Sequence, residues 1–220
     1  MKKIFTLLAL TMSFSMNAQL IAVTEGGNTG QRLSTSNASN HGDIGSDAVD
    51  LSIQSLANST RGATGFKAVA MGSNTTASGS ISTAIGNANE ASGTFSTSMG
   101  VSTLASGYGS TSMGNYTEAN GWYSTAMGYG ATASGSYSTA IGKYATASDY
   151  SSTVIGQHNS SGSSVTNSAI SFSTSNTAFV IGNGADSSNK SDAKTRATDP
   201  AEKFSSFPHI PGGIYTPSSG

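Results

Sequence analysis

Residues 121–134 read GWYSTAMGYGATAS and residues 135–148 read GSYSTAIGKYATAS, so two consecutive segments of 14 residues are nearly the same sequence. The same period extends well beyond them and is marked by one glycine series: Gly72, Gly86, Gly100, Gly114, Gly128, Gly142 and Gly156. A second series precedes the first by seven residues: Gly65, Gly79, Gly93, Gly107, Gly121 and Gly135, with Asp149 in the seventh place. A short, fixed period is typical of a solenoid, in which each repeat forms one coil.

The repeat favours strands over helices. Glycine costs about 1 kcal/mol relative to alanine in a helix interior, whereas in a tight turn it adopts positive φ without steric cost. Between the glycines, segments such as Ser138-Thr139-Ala140-Ile141 alternate, which places Thr and Ile or Met on one face and Ser and Ala on the other. The sequence therefore predicts an all-β parallel solenoid with two short strands and two glycine turns per coil, stacked about 4.8 Å apart.

One apolar side chain recurs in every repeat, and the row comprises Met71, Ile85, Met99, Met113, Met127, Ile141 and Ile155. The alternation leaves open whether this row fills the coil or packs between subunits. A single apolar row is a thin core, because each side chain contributes about 1.5–3 kcal/mol against a backbone cost of about 1–2 kcal/mol per residue. We therefore expect a homo-oligomer that buries the row between subunits.

The N-terminus has the pattern of a secretory signal peptide, predicted for residues 1–18. Lys2 and Lys3 precede an apolar stretch, and Ala18 offers a small residue for cleavage. No later stretch approaches the roughly 18 apolar residues of a membrane helix, so no membrane anchor is predicted. The chain has no cysteine, so disulfides do not stabilise the exported protein.

The other boundaries follow the repeat. Residues 19–62 are predicted to form a leader and a degenerate N-terminal coil or cap, and residues 63–162 carry the repeats. Residues 163–193 contain a last irregular coil and a neck-like exit, since Phe179-Val180-Ile181-Gly182 restates the strand 26 residues after Gly156. Residues 194–220 hold all four prolines and no period, which predicts a disordered tail or a truncated or frameshifted reading frame.

Composition argues against several functions. The net charge of −1 without a basic cluster excludes nucleic acid and anionic membranes as partners. Glu90 and Glu118 share one repeat position two coils apart and are interpreted as solvated turn residues, not as an acid–base pair. His158 has no Cys or His partner nearby that would complete a metal site. We expect no catalytic residue, no metal and no cofactor.

Aromatic residues recur at fixed repeat positions and are the candidate binding residues. Stacked coils would align them in stripes at the coil corners, and aromatic side chains are enriched at binding hot spots. Tyr116 and Tyr144 share position ten. The alternative is packing between subunits or over the turns. The candidate ligand-contacting residues lie at positions two and three: Trp122, Tyr123, Tyr108, Tyr137 and Tyr150.

The strand sequences Ser82-Thr83-Ala84-Ile85-Gly86 and Ser152-Thr153-Val154-Ile155-Gly156 resemble the Ser-Val-Ala-Ile-Gly core of YadA-like trimeric autotransporter adhesin heads. The resemblance implies a left-handed parallel β-roll, a homotrimer, and display on a bacterial cell surface (outer membrane) or outside the cell. It implies an extracellular matrix protein or a cell-surface ligand as partner. Thr replaces Val in most copies, and the resemblance does not extend to the family's stalk and membrane anchor.

Two other functions remain as alternatives. A secreted structural fibre or spacer would use the same coils without a ligand. An ice-binding solenoid is suggested by the threonine row, although its Met and Ile neighbours face the same way and favour burial over an exposed ice plane. The row comprises Thr83, Thr97, Thr111, Thr125, Thr139 and Thr153.

Overall fold

The computed structural model describes residues 20–55 and 59–195, and each repeat forms one coil with a long and a short strand. The long strands of the coils are β3 Val49–Ile53, β5 Val69–Ser73, β7 Thr83–Asn87, β9 Thr97–Val101, β11 Thr111–Asn115, β13 Thr125–Tyr129, β15 Thr139–Lys143, β17 Thr153–Gln157 and β18 Phe179–Asn183. The short strands are β4 Gly62–Ala63, β6 Thr76–Ala77, β8 Glu90–Ala91, β10 Leu104–Ala105, β12 Glu118–Ala119, β14 Thr132–Ala133 and β16 Thr146–Ala147.

Stacking of the coils produces two sheets. The long strands belong to a 12-stranded sheet and the short strands form a 7-stranded sheet. In the repeat region each residue pairs in parallel with its equivalent one repeat later, as Met113 does with Met127. The all-β parallel solenoid with two strands per coil is thereby confirmed.

The two ends of the long sheet depart from the repeat. At the N-terminal end, β1 Leu20–Glu25 and β2 Asn28–Leu33 form an antiparallel hairpin, and β2 then pairs in parallel with β3. A 3-10 turn at Ala38–Asn40 follows the hairpin. At the other end, β19 Asp192–Thr195 lies antiparallel to β18.

Gly156 pairs with Gly182, so the 26-residue interval read from the sequence is a real coil step. β19 runs two residues into the segment predicted as a disordered tail. The predicted signal peptide and the rest of the tail lie outside the described residues. Within the described part of the chain, no helix is long and apolar enough to cross a membrane.

The coil interior is filled by small side chains. Ser82 and Ala84 of one coil are completely buried, whereas Met71 and Ile141 of the apolar row are 40% and 41% exposed. The predicted alternation of the two strand faces is therefore confirmed. The sequence left open whether the Ile/Met row fills the coil or packs between subunits, and its exposure excludes the coil interior. Ala, Ser, Thr and Asn occupy the narrow space between the two strands of a coil, and the row lies on the outer face of the long strands.

The interior is not uniform along the rod. An apolar cluster runs from Ile44 to Ala91 and another from Ala119 to Val180. Between them the interior is polar: the Ser98 and Thr103 hydroxyl oxygens lie 2.6 Å apart, and those of Ser112 and Thr117 lie 2.8 Å apart in the next coil. Hydrogen bonds compensate the burial of these hydroxyl groups.

The glycines of the first series lie inside the long strands and not in turns, contrary to our expectation, whereas those of the second series begin the turn before each long strand, as where the Ser96 N–H donates to the Gly93 carbonyl at 3.1 Å. Gly100 lies inside a long strand at φ +127°, and a Cβ there would overlap the Gly114 carbonyl oxygen of the next coil. Gly79 of the second series has no positive φ but would overlap Gly93 in the same way. The left-handed turn positions hold larger residues, such as Tyr123 at φ +53° and Tyr144 at φ +52°. Close coil-to-coil approach, more than turn conformation, requires the glycines.

Candidate functional site

Two rows of rings run along the rod at the two corners that flank each long strand. We name them by their position in the coil, before or after that strand. The upstream ladder comprises Phe95, Tyr108, Trp122, Tyr123, Tyr137 and Tyr150. The downstream ladder comprises Tyr116, Tyr129, Tyr144 and His158.

The upstream ladder has nearly constant spacing. Ring centroids are 5.4 Å apart for Phe95–Tyr108, Tyr108–Tyr123 and Tyr137–Tyr150, and 5.3 Å apart for Tyr123–Tyr137. The three 5.4 Å contacts have interplanar angles of 79°, 72° and 64°, whereas Tyr123 and Tyr137 are stacked at 18°. The structure thus brings together all five candidate ligand-contacting residues predicted from the sequence.

Most of this ladder is open to solvent. Trp122 is 64% exposed and lies 6.3 Å from Tyr108 at a tilt of 47°, so most of the indole is free. Tyr123 and Tyr137 are about half exposed, whereas Tyr150 is partly buried. Desolvation, followed by the interaction with Tyr108, raises the pKa of Tyr123. The Tyr123 phenol therefore stays neutral at physiological pH.

The backbone holds rings at positions that disfavour bulky residues. Tyr123 and Tyr137 have left-handed φ of +53° and +60°, a conformation that costs roughly 1–2 kcal/mol for a residue with a Cβ. Their N–H groups donate to the carbonyls of Tyr108 and Trp122, each at 2.7 Å. Gly109 takes the same position in one coil, and a Cβ there would lie 2.7 Å from the Tyr123 ring. The glycine therefore makes room for the neighbouring ring.

The downstream ladder repeats this arrangement at the other corner. Centroid distances are 6.1 Å for Tyr116–Tyr129, 5.3 Å for Tyr129–Tyr144 and 4.9 Å for Tyr144–His158. Gly130 occupies the left-handed position beneath Tyr144. A hydrogen bond with Tyr144 raises the pKa of Tyr129, opposed by the nearby charge of Lys143. Unlike the upstream ladder, this row has a cationic side chain beside it.

Sequence reasoning identified Tyr116 and Tyr144 but missed Tyr129 as a ladder member. Tyr129 lies one residue before the position that they share, because Gly130 occupies that position. Tyr108 and Gly109 show the same shift in the upstream ladder. The Tyr-Gly dipeptide is the signal that could have revealed the continuous row.

The outer face of the long strands lies between the two ladders. It carries the threonine row and the Ile/Met row, whose side chains are partly exposed in every coil of the repeat. In register, Met99 pairs with Met113 and Met113 with Met127, so the apolar side chains form a continuous stripe along the rod.

The carboxylates considered from the sequence belong to the short-strand sheet and not to the ladders. Glu90 and Glu118 are exposed on the short-strand sheet, where Leu104 lies between them. They belong to short strands and not to turns. His158 is buried and stacks on Tyr144.

A buried charged cluster in the first coil was not foreseen from the sequence. The Asp50 carboxylate accepts from His41 Nδ1 at 2.8 Å and lies 3.5 Å from Arg32 Nε, while Arg32 also pairs with Glu25 at 2.7 Å. Burial opposes ionisation of Asp50, but hydrogen bonds from His41 and Ser52 hold its pKa below the usual value. No period marks this cluster, since Arg32 and Glu25 lie in the hairpin, His41 lies in the irregular loop and Asp50 lies in β3, before the regular repeats begin.

Parallel coils of 14 residues with glycine at both stacking contacts define the class of the protein, a repeat β-solenoid. The family model described as YadA head domain repeat (2 copies) matches six overlapping segments: residues 63–89, 82–103, 91–117, 105–131, 119–145 and 133–159. Residues 63–159 therefore match a YadA-like head domain, and this family suggests an adhesin-type surface protein. No curated protein matches the sequence.

Proposed function

We propose that this protein is the non-catalytic head of an exported bacterial adhesin, which assembles as a homotrimer and attaches cells to an extracellular matrix protein or to other cells. The observation that carries the proposal is the partly exposed Thr and Ile/Met face of the long strands. It extends without interruption from Met71 to Ile155, through the whole region that matches the head family.

The exposed row supports assembly because the coil interior cannot use it. Long apolar stripes on a soluble surface mark interaction sites, and this one contains an Ile or Met in every coil. In a trimer around a common axis, three such faces would pack together and remove the apolar side chains from water. The ladders would then flank the assembled core.

The upstream ladder is the proposed ligand-contacting surface. Aromatic side chains supply large contact areas with few rotatable bonds, which makes them effective anchors. Trp122 presents the most exposed ring of the ladder and Tyr123 lies beside it at the centre, with Tyr108, Tyr137 and Tyr150 extending the row.

Sedimentation equilibrium of the purified protein tests the assembly. We expect a mass three times that of the chain, and a shift toward monomer for Met113→Glu, because the variant places a charge in the middle of the stripe. Thr146→Glu is the matched control, since it introduces the same side chain at the repeat position where Glu90 and Glu118 already stand. A folded monomer for the unmodified protein would contradict the trimer.

Attachment is tested with beads coated with the protein, offered to immobilised extracellular matrix and to cultured cells. Saturable attachment that soluble protein competes away is the expected result. Beads coated with heat-denatured protein are the control. Attachment equal to that control would contradict the adhesin function and favour a structural spacer.

A further inference from the structure

We propose that the upstream ladder binds a linear, uncharged polysaccharide that lies along the rod. The proposal rests on the function as a binding head and specifies the chemical class of its ligand. The apolar C–H faces of sugar rings pack on aromatic rings, and the sugar hydroxyls can exchange hydrogen bonds with phenol and indole groups.

The first argument is the regular spacing of the rings. Four successive contacts have centroid distances of 5.3–5.4 Å, and with one coil per step the row from Phe95 to Tyr150 extends about 20 Å. A polymer of repeated sugar rings meets equivalent surface at each step. The irregular surface of a globular protein offers no such repetition.

The second argument is the shape of the surface. The ladder is one or two rings wide, and five half-exposed aromatic side chains offer roughly 500 Å². This is less than the about 800 Å² that each partner buries in a standard protein–protein interface, but it suits one extended chain. The edge-to-face contacts of Tyr108 and Tyr150 leave ring faces that their partners do not cover.

The third argument is charge. Positions two and three of the repeats from Gly93 to Ser151 hold no Lys, Arg, Asp or Glu. Nucleic acids and acidic polysaccharides require basic side chains for their phosphate, sulfate or carboxylate groups. An uncharged sugar polymer does not, and the neutral Tyr and Trp side chains match it.

The fourth argument is the backbone conformation of the ladder. Phe95, Tyr123 and Tyr137 hold bulky side chains at φ of +53° to +61°, where Gly109 shows that a glycine also fits. The same conformation recurs at Lys67, Ile81 and Ser151 in other coils, so the coil fixes the exposed corner and the sequence places rings there in the ladder.

Fluorescence of Trp122 provides the test, because it is the only tryptophan of the chain. The unmodified protein is titrated with neutral oligosaccharides of increasing length from the cellulose, chitin, mannan and starch series, and with heparin and alginate as acidic probes. We expect a saturable emission change with at least one neutral series. Its affinity should rise with oligosaccharide length, because longer chains cover more rings.

Substitution with asparagine preserves the backbone, since Asn74 adopts a left-handed φ of +54° in another coil. The double variant Tyr123→Asn, Tyr137→Asn should bind the responding series at least tenfold more weakly. The matched control Tyr116→Asn, Tyr144→Asn removes two rings from the downstream ladder and should bind as the unmodified protein does. Circular dichroism and sedimentation confirm the fold and mass of both.

Three results would overturn the ligand assignment. The first is that no neutral series changes the emission, and the second is that heparin or alginate alone changes it. The third is loss of the oligomer in the Tyr123→Asn, Tyr137→Asn variant, which would make the ladder a subunit interface. Bead attachment separates the two proposals: if attachment persists without sugar binding, the adhesin function stands and its ligand is of another class. If both are absent, both proposals fail.

Discussion

The body of the rod, meaning the coils from Gly65 to Ser148, and the first coil bury side chains of different chemistry at equivalent interior positions. In register, Asp50 of the first coil pairs with Ala70 of the next, so one interior position changes from a carboxylate to a methyl group within a single step. The coils from Gly65 to Ser148 bury Ala, Ser, Thr and Asn, whereas the first coil also buries Arg32 and His41. This difference in buried side chains reflects the structures that lie next to each coil.

A coil between two copies of itself stacks identical side chains at identical heights, and small residues suffice. The first coil has a hairpin on one side and irregular loops beside it. Arg32 of the hairpin therefore pairs with Glu25 on the neighbouring hairpin strand, donates to the Gly42 carbonyl of the loop, and approaches Asp50 in the coil. Charged groups with long reach connect parts of the chain that share no repeat.

The body depends most on its glycines, and replacing one should have the largest effect. Gly100→Ala places a Cβ at φ +127° against the Gly114 carbonyl, so we expect a loss of more than about 4 kcal/mol from backbone strain and steric overlap together. Denaturant unfolding measures it. Gly27→Ala is the control, with positive φ but open space, and should cost no more than about 2 kcal/mol. Equal losses would show that stacking clearance is unimportant.

The first coil should be most sensitive at its buried carboxylate. Asp50→Ala leaves His41 buried without its carboxylate partner and removes one of the carboxylates beside the buried Arg32, which we expect to cost about 3–5 kcal/mol. The exposed Asp43 is the control, and Asp43→Ala should change the free energy of unfolding by less than about 0.5 kcal/mol. Urea unfolding compares the two. A small loss for Asp50→Ala would contradict a structural role for the cluster.

Acid should affect the ends of the rod before the body. The pKa of Asp149 is shifted in the same direction as that of Asp50. Burial opposes the ionisation of Asp149, but hydrogen bonds from Thr177 and Thr166 keep its pKa below the usual value of 3.8. A lowered folded-state pKa adds stability above the unfolded pKa, and this is lost as pH falls through the folded value. The midpoint of unfolding should therefore decrease as the pH is lowered below about 4. The fall should be shallower in Asp149→Asn, and an unchanged slope would contradict the assignment.

The smallest expected effect lies in the polar middle of the body. Ser112→Ala leaves the Thr117 hydroxyl buried without its partner, so we expect a cost of about 1–3 kcal/mol. Adding Thr117→Ala should restore most of that loss, because the next coil carries Ala126 and Ala131 at the equivalent positions. A double-mutant cycle measures the coupling between the two sites. Losses of unfolding free energy that simply add in the double variant would contradict this coupling.

Much of the candidate site could be read from the chain. The period placed Trp122, Tyr123 and Tyr137 in one stripe, because side chains one repeat apart must align when coils stack in register. It did not reveal that Tyr129 joins the second row, since this depends on how the Tyr144 ring packs over Gly130. Nor could it reveal the Arg32–His41–Asp50 cluster, which depends on contacts across irregular loops.

The sequence by itself determined the parallel coils, their register and the two faces of each strand, because a strict 14-residue repeat admits one way of stacking and β-strands alternate with a period of two. Only the tertiary structure decided which face points inward. An alternating strand has the same sequence pattern whichever of its faces points into the coil. The narrow space between the two strands of one coil accepts Ser and Ala but leaves Met and Ile outside. The same close approach of coils decided why the glycines are needed, since backbone atoms of neighbouring coils occupy the space that a Cβ would take.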